Sequence, residues 1–330
     1  MSRAPDDLDG KTIAITGIGG FLGLALAHRA RARGAVVHGL DASFVSAARA
    51  EKAGFEAIVG DVTDPFAAGR LVAGADAVVH TAAIVAEDGD MSRFRHVNVG
   101  GTRVVVEAAR AAGVSVFVQV SSVMVYGFTF PPGITEDGPQ RGEGNPYCIT
   151  KIESDRLART FDDPTGMRVA IVRPGDIFAP GSVPWVDRPL ALMRAGLFVL
   201  PDGGRGVLSP VHVDDVCDGI LLTITRRAPG TFNLASSEGM RAYDYFTLLA
   251  RAAGLPPPKT APSWLLSPAF GAIGWAADVV GREPPARASA LRFLARPAAY
   301  SIERARRELG WSPRISPYDG LAALGPSLAS

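Results

Sequence analysis

Short runs rich in β-branched residues alternate with alanine-rich stretches through the first half of the chain, and few folds accommodate that alternation. The spacing predicts strands at Thr12 to Thr16, Val36 to Leu40, Ala57 to Val59, Ala77 to His80, Val116 to Val120 and Arg168 to Val172. Helices fit between them, at Phe21 to Arg33, Ala42 to Ala53, Asp64 to Val72, Phe94 to Ala112 and Tyr147 to Arg159. Strand and helix in strict alternation form a parallel sheet covered by helices. Val116-Phe117-Val118-Gln119-Val120 is almost wholly apolar, as a strand buried on both faces must be.

The second half has a different texture. From Pro174 onward the chain holds 18 of its 25 prolines, and glycine and proline punctuate loops such as Leu200-Pro201-Asp202-Gly203-Gly204-Arg205-Gly206. Thr231 to Leu234 is apolar enough to return to the sheet. The expected architecture is therefore α/β, a doubly wound parallel sheet with a smaller, irregular lobe. The sheet layer is assigned to residues 1–177 with a returning segment at about 207–236, and the substrate lobe to 178–206 and 237–330. No internal repeat is visible.

Composition narrows the partners. The chain has 330 residues, 47% hydrophobic and 20% charged, so it can bury a substantial core. A net charge of +1 supplies no basic field for nucleic acid. Two cysteines, Cys148 and Cys217, make no disulfide framework and suit a reducing, cytoplasmic compartment. Met1 to Gly10 is polar and acidic, without an apolar signal core. The nearest approach to a membrane span, Trp264 to Val280, carries Pro268, two glycines and Asp278. The expectation is a soluble protein with no integral span, for which that stretch permits a peripheral membrane contact.

Thr16-Gly17-Ile18-Gly19-Gly20-Phe21-Leu22-Gly23 follows the first strand and opens the first helix. In that setting one glycine makes the turn, one lets a pyrophosphate approach the backbone, and one permits close helix-to-strand packing. The helix N-terminus presents unpaired N–H groups and a positive dipole end to phosphates. With a strand before it and a helix after it, the pattern predicts a dinucleotide site in a Rossmann-like layer. Asp41 ends the second strand, 18 residues beyond Gly23, where a carboxylate accepts ribose hydroxyls and repels a 2′-phosphate, so NAD is preferred over NADP. Arg49, further along, reads as a solvated helix residue.

Tyr147-Cys148-Ile149-Thr150-Lys151 puts a phenol and an ammonium on one helical face. An ammonium beside a phenol lowers the phenol pKa toward the range of a general acid/base. Ser121-Ser122 follows a strand at the sheet edge where open α/β sheets bind ligands.

Together these motifs resemble the extended short-chain dehydrogenase/reductases, in order and over nearly the full length. Thr16 to Gly23 is similar to the family's TGxxGxxG, and Asp61-Val62 to its adenine-contacting pair. His80-Thr81-Ala82-Ala83 resembles the loop after the fourth strand, and Asn98-Val99-Gly100-Gly101-Thr102 the helix asparagine motif. Ser121 to Gly127 resembles SSxxVYG, and Tyr147 to Lys151 is the YxxxK. Arg173 to Gly181 resembles RPxxxxGPG, which places Pro174, Gly175 and Ile177 beside the nicotinamide, and Val211 to Asp215 resembles the HVDD element.

The resemblance implies an NAD-dependent oxidoreductase in which Tyr147 exchanges the proton, Ser122 holds the reacting oxygen, and Lys151 binds the nicotinamide ribose and steadies the phenolate. Asn98 is placed with the cofactor-ordering residues, with a purely structural role about equally open. His80 and His212 are read as packing or hydrogen-bonding residues, and no metal site is expected. It also implies a homodimer paired through the helices at Phe94 to Ala112 and Tyr147 to Arg159.

Two departures bear on substrate. Ala179 stands for the usual glycine, and Asp176 stands where nucleotide-sugar enzymes commonly carry asparagine. Val123 and Met124 follow Ser122 where sugar dehydratases carry acid/base residues, which disfavours dehydration. The substrate end is expected at Val123, Met124, Phe178 and Trp185, and only Arg205 and Arg287 are candidates for a substrate diphosphate. The tail is similar to the branch holding 3β-hydroxysteroid and sterol dehydrogenases and dihydroflavonol-reductase-like enzymes. The expectation is a hydrophobic, steroid-like or aryl alcohol or ketone as the small-molecule substrate, with a nucleotide-sugar epimerase holding tightly bound NAD as the alternative. A non-catalytic dinucleotide sensor is disfavoured by the intact Ser122, Tyr147 and Lys151.

Overall fold

The computed structural model describes residues 8–86, 88–268, 271 and 288–328. Its first half alternates β1 (Thr12–Thr16), α1 (Phe21–Arg31), β2 (Val36–Asp41), α2 (Phe44–Lys52), β3 (Glu56–Val59), α3 (Pro65–Val72) and β4 (Ala77–His80). It continues with α4 (Met91–Phe94), α5 (Gly101–Ala111), β5 (Val116–Val120), α6 (Pro146–Arg159) and β6 (Arg168–Pro174). The second half carries β7 (Asp176–Phe178), α7 (Arg188–Arg194), β8 (Val199–Pro201), β9 (Val207–Leu208), β10 (Pro210–His212), α8 (Val213–Thr225) and β11 (Gly230–Leu234). It ends with β12 (Met240–Arg241), α9 (Ala242–Ala252), β13 (Lys259–Ala261), α10 (Ala288–Leu294), α11 (Glu303–Leu309) and α12 (Pro317–Ala322).

Seven parallel strands form the main sheet in the order β11-β6-β5-β4-β1-β2-β3, so the run at Thr231 to Leu234 does return, beside β6. The order turns back between β1 and β4, and the crevice that opens outside their carboxyl ends is where a sheet of this kind takes a ligand. Successive side chains point to opposite faces. Ile13, Ile15 and Val79 pack with Leu26 and Ala27 of α1 and Ile220 of α8. Ala14, Val78 and Phe117 pack with Leu71 of α3, Val105 and Ala109 of α5 and Ala158 of α6. Burial on both faces explains the uninterrupted apolar strands.

Local chemistry sets the helix starts. Ser43, Asp64 and Asn145 cap α2, α3 and α6 by accepting the backbone N–H of Ser46, Phe66 and Cys148, so α2 begins two residues later than the alanine pattern predicts. The single helix expected at Phe94 to Ala112 is broken. Arg95 to Gly100 winds as a π-helix between α4 and α5, with Asn98 buried inside it. Such bulges insert a residue and re-aim a side chain.

In the lobe, β7 pairs with β10 and β8 with β13, both parallel, while β9 pairs antiparallel with β12. The lobe core gathers Phe178, Leu190, Leu200, Leu208, Tyr245, Phe246 and Leu321. These short pieces follow no clean sequence period, and the prolines between them left them unread. Among the described residues no helix is long and apolar enough to cross a membrane. Trp264 and Leu265 are exposed, whereas most of the stretch on to Val280 lies outside the described residues.

Candidate active site

The glycine turn is shaped by contacts no side chain could share. Gly17 has φ +68°, and a Cβ on Gly19 would stand 2.0 Å from the Ser46 carbonyl oxygen. One on Gly23 would meet the Gly17 carbonyl oxygen at 2.1 Å. Gly20 caps α1 with no side-chain hydrogen bond, so the first N–H groups of the helix remain for phosphate oxygens. The residues present therefore fit a dinucleotide pyrophosphate.

Asp41 takes one backbone N–H from Gly19 at 3.1 Å and another from Ser43 at 3.0 Å, and it lines the same cavity as the glycine turn. Arg49 is exposed but not merely solvated: its guanidinium donates to the Gly19 carbonyl at 2.9 Å and ties α2 to the turn. Asp61 is fixed by the Thr63 N–H at 2.9 Å, and Asp61, Val62, Thr81, Ala82 and Ala83 all line the cavity. Thr16 Oγ1 accepts the N–H groups of Thr81 and Ala82 at 3.1 and 3.2 Å, which leaves its own proton for His80 Nδ1 at 2.8 Å. Burial, reinforced by Lys151, holds the His80 pKa down at about 3, so this imidazole is neutral. His212 caps α8 through the Asp214 N–H. Both histidines are hydrogen-bonding residues.

Ser122 leaves β5 and caps a 3₁₀ turn, Val123–Tyr126, by accepting the Met124 N–H at 3.1 Å. Tyr147 sits in the first turn of α6 and Lys151 one turn on, and all three line the cavity. The Ser122 hydroxyl lies close enough to the Tyr147 phenol to oppose the effect of burial on it. The ammonium, however, donates to the Val120 carbonyl at 2.8 Å and lies 5.8 Å from the Tyr147 ring centre. The expected lowering of the phenol pKa is opposed by its surroundings: burial pushes Tyr147 upward, against the nearby Ser122 hydroxyl. Burial also brings Lys151 down to about 8, with Asp155 opposing the shift.

The cavity runs from the glycine turn into the lobe and encloses about 800 Å³. Phe21, Leu22, Pro174, Gly175, Ile177, Val123, Met124 and Trp185 line it as expected. Three other residues do not. Phe178 is fully buried in the lobe core against His212 and Tyr245. Gly19 is spent on the approach of α2. Asn98 accepts the Ile84 N–H at 2.7 Å and donates to the Ile84 carbonyl and to Thr150 Oγ1, so it fastens the loop after β4 to α6. Its place is structural. Arg205 is exposed and outside the lining, and Arg287 lies outside the described residues.

Sequence reasoning missed the roof. Leu291, Phe293 and Leu294 of α10 face the cavity, with Phe293 edge-on to Phe128 at 5.0 Å. Arg292 pairs with Glu143 and lies over the Phe128 ring, and Arg296, fully buried, pairs with Asp176 at 2.5 Å. It also missed Asp155, for which the spacing from Lys151 was an available signal.

The family model described as "NAD dependent epimerase/dehydratase family" matches residues 13–235. The chain is 29% identical to the 4-hydroxy-2-methyl-3-oxo-4-farnesyl-3,4-dihydroquinoline-1-oxide ketoreductase of Stigmatella aurantiaca, covering 94% of each chain. It is 30% identical to the 2-alkyl-3-oxoalkanoate reductase of Stenotrophomonas maltophilia, over 96% of this chain and 99% of that one. It is 34% identical to the dTDP-glucose 4,6-dehydratase of Streptomyces griseus, over 80% and 74%. In fold it resembles the dTDP-glucose 4,6-dehydratase DesIV of Streptomyces venezuelae, with a TM-score of 0.76 at 24% identity over 96% of each chain. Glycine turn, sheet order and family match agree: the chain is an enzyme of the NAD-dependent epimerase/dehydratase family, an extended short-chain dehydrogenase/reductase whose cofactor is NAD.

Proposed function

We propose that the enzyme interconverts a ketone and a secondary alcohol on a bulky apolar molecule, steroid-like, aryl or alkyl-substituted. The observation that carries this reading is the wall of the cavity beside Tyr147, which is built from Val123, Met124, Trp185, Leu192, Phe198, Phe246 and Phe293. Apolar walls select by burial of apolar surface, and a few polar groups fix orientation. The names of the two reductase relatives, one for a farnesyl-bearing ring ketone and one for an alkylated oxoalkanoate, support the same class. Val123 and Met124 leave no acid in sequence next to Ser122 for eliminating water, which counts against dehydration.

NAD supplies the acceptor or donor of a hydride. The chain's own residues handle the proton. In reduction the Tyr147 hydroxyl gives its proton to the carbonyl oxygen, and in oxidation the phenolate takes it back. Ser122, which lines the same cavity as that phenol, holds the reacting oxygen in reach. Lys151 leaves Val120 for the nicotinamide ribose and favours the phenolate, which burial alone disfavours. Asp41 binds the adenosine ribose hydroxyls and sets the preference for NAD.

A panel of hydroxysteroids, aryl and alkyl carbinols, their ketones, and nucleotide sugars, with NAD and NADP in parallel, tests the reading. NAD-linked turnover of the apolar members bears it out. Epimerisation of a nucleotide sugar without net NADH would overturn it.

A further inference from the structure

One guanidinium reaches four walls of the cavity. Arg296 follows the roof helix α10, and its side chain is completely buried. Its Nη2 donates to Asp176 Oδ2 at 2.5 Å, next to the cofactor loop after β6. Its Nε donates to the Phe293 carbonyl at 3.0 Å and so closes the end of α10. Its Nη1 lies 3.7 Å from Met124 Sδ, two residues from Ser122, and its Cζ lies 5.7 Å from the centre of the Trp185 ring. Asp176 also accepts the Ser209 N–H at 2.8 Å, and it lines the cavity itself.

Stability does not explain such a pair. Taking two charges out of water costs several kcal/mol each, and well-packed apolar residues usually serve as well or better. What a buried pair supplies is a fixed register between the segments it joins. Here those segments are Met124, Asp176, Trp185 and the roof, which together bound the volume beside Tyr147.

We propose that Asp176 and Arg296 are the specificity-determining pair of this enzyme: they pin the roof over the cavity and cancel each other's charge. The cavity then takes a bulky apolar carbonyl compound and refuses a nucleoside diphosphate. The roof sets the size and shape of the apolar compartment through Leu291, Phe293 and Leu294. The carboxylate at the lining opposes an approaching diphosphate, and the guanidinium that would attract one is already occupied. This deepens the apolar-substrate reading and rests on it.

Single substitutions of opposite charge separate the pair's role from simple support of the fold. Asp176→Asn leaves Arg296 cationic without its carboxylate, so uridine diphosphate, titrated by calorimetry with NAD present, should bind at least about tenfold more tightly than to the wild type. Arg296→Met leaves the carboxylate alone, and the same titration should show no gain. In both, the ratio of kcat/KM for a bulky apolar ketone to that for a small ketone should fall at least about tenfold, with NAD affinity unchanged. If either single variant fails to fold, the double variant D176N/R296M carries neither charge. It should bind no uridine diphosphate and show the same loss of size selectivity. The proposal is overturned if D176N gains no diphosphate affinity, or if the folded variants keep the wild-type ratio. The wild-type panel judges the substrate reading separately, because the diphosphate titration needs no turnover.

Discussion

Asp155 follows Lys151 by one turn of α6 and accepts a hydrogen bond from Arg173 Nε at 3.1 Å, both partners essentially inaccessible to solvent. The cofactor-side ammonium is therefore backed by a buried carboxylate already committed to a guanidinium. That carboxylate opposes burial, and with it in place the Lys151 pKa is about 8. In Asp155→Asn the ammonium should lose its proton at lower pH. The alkaline fall of kcat, placed near pH 8 in the wild type, should move about one unit toward acid, and a pH–rate profile reads the shift. The variant should also be destabilised by about 3–5 kcal/mol, because Arg173 is left buried without its partner.

In the proposed reaction the Tyr147 hydroxyl moves the proton, and burial favours its protonated form. Tyr147→Phe removes the hydroxyl and little else. Turnover should fall about 10³-fold, the scale of general acid/base catalysis. NAD binding, followed by fluorescence titration, should stay within about twofold. Retained turnover would remove Tyr147 from the proton path.

Gly23 tolerates no side chain, since a Cβ there would lie 2.1 Å from the Gly17 carbonyl. Gly23→Ala must push α1 away from the turn whose N–H groups face the phosphates. NAD affinity should weaken at least about tenfold. A melting curve without cofactor should also shift downward, because the displaced helix α1 packs against the core of the sheet, and holding the variant well below its melting point separates lost binding from lost fold.

In the proposed reading Asp41, at the end of β2, repels a 2′-phosphate. Asp41→Ala should raise the kcat/KM ratio for NADP over NAD at least about tenfold. Steady-state rates with each cofactor measure it. An unchanged ratio would transfer the preference to another residue.

Lys151 shows the trade of stability for function. Its folded pKa of about 8 lies below the unfolded value, so below pH 8 the fold bears the full cost of a buried ammonium. Between pH 8 and the unfolded pKa the folded state binds fewer protons than the unfolded one, and stability rises with pH on this account. Lys151→Met should abolish turnover yet melt about 1–3 °C higher at pH 7. Differential scanning calorimetry at pH 7 and pH 9.5 tests both signs, with the gain smaller at pH 9.5.

The glycine turn and the Ser122, Tyr147 and Lys151 positions could be read from sequence because each is a local constraint. A strand end, a positive φ and a four-residue helical spacing are all written in adjacent letters. Arg296 had no such mark: its partner Asp176 is 120 residues away, and nothing in Leu294-Ala295-Arg296-Pro297 separates a buried guanidinium from a solvated one. Phe178 was placed at the substrate because its neighbours Ile177 and Pro174 are there. In a strand of three residues no period tells which face an aromatic takes, and the lobe core claimed it. The π-helical turn at Asn98 was hidden for a related reason. The asparagine bonds to Ile84 and Thr150 that go with it depend on segments that only the fold brings together.

The roof over the cavity is supplied by α10, far along the chain from the glycine turn, and the chain is made from the other end. All strands of the sheet, β1 to β11, are synthesised before the roof. At that stage a nascent chain carries the glycine turn but no cover for its substrate side. A chain ending after residue 286 would lose more than the roof, because Ile302, Ala305, Leu309 and Trp311 belong to the core beneath β11 and α8: the cover of the cavity and one flank of the sheet are made by the same late stretch of chain.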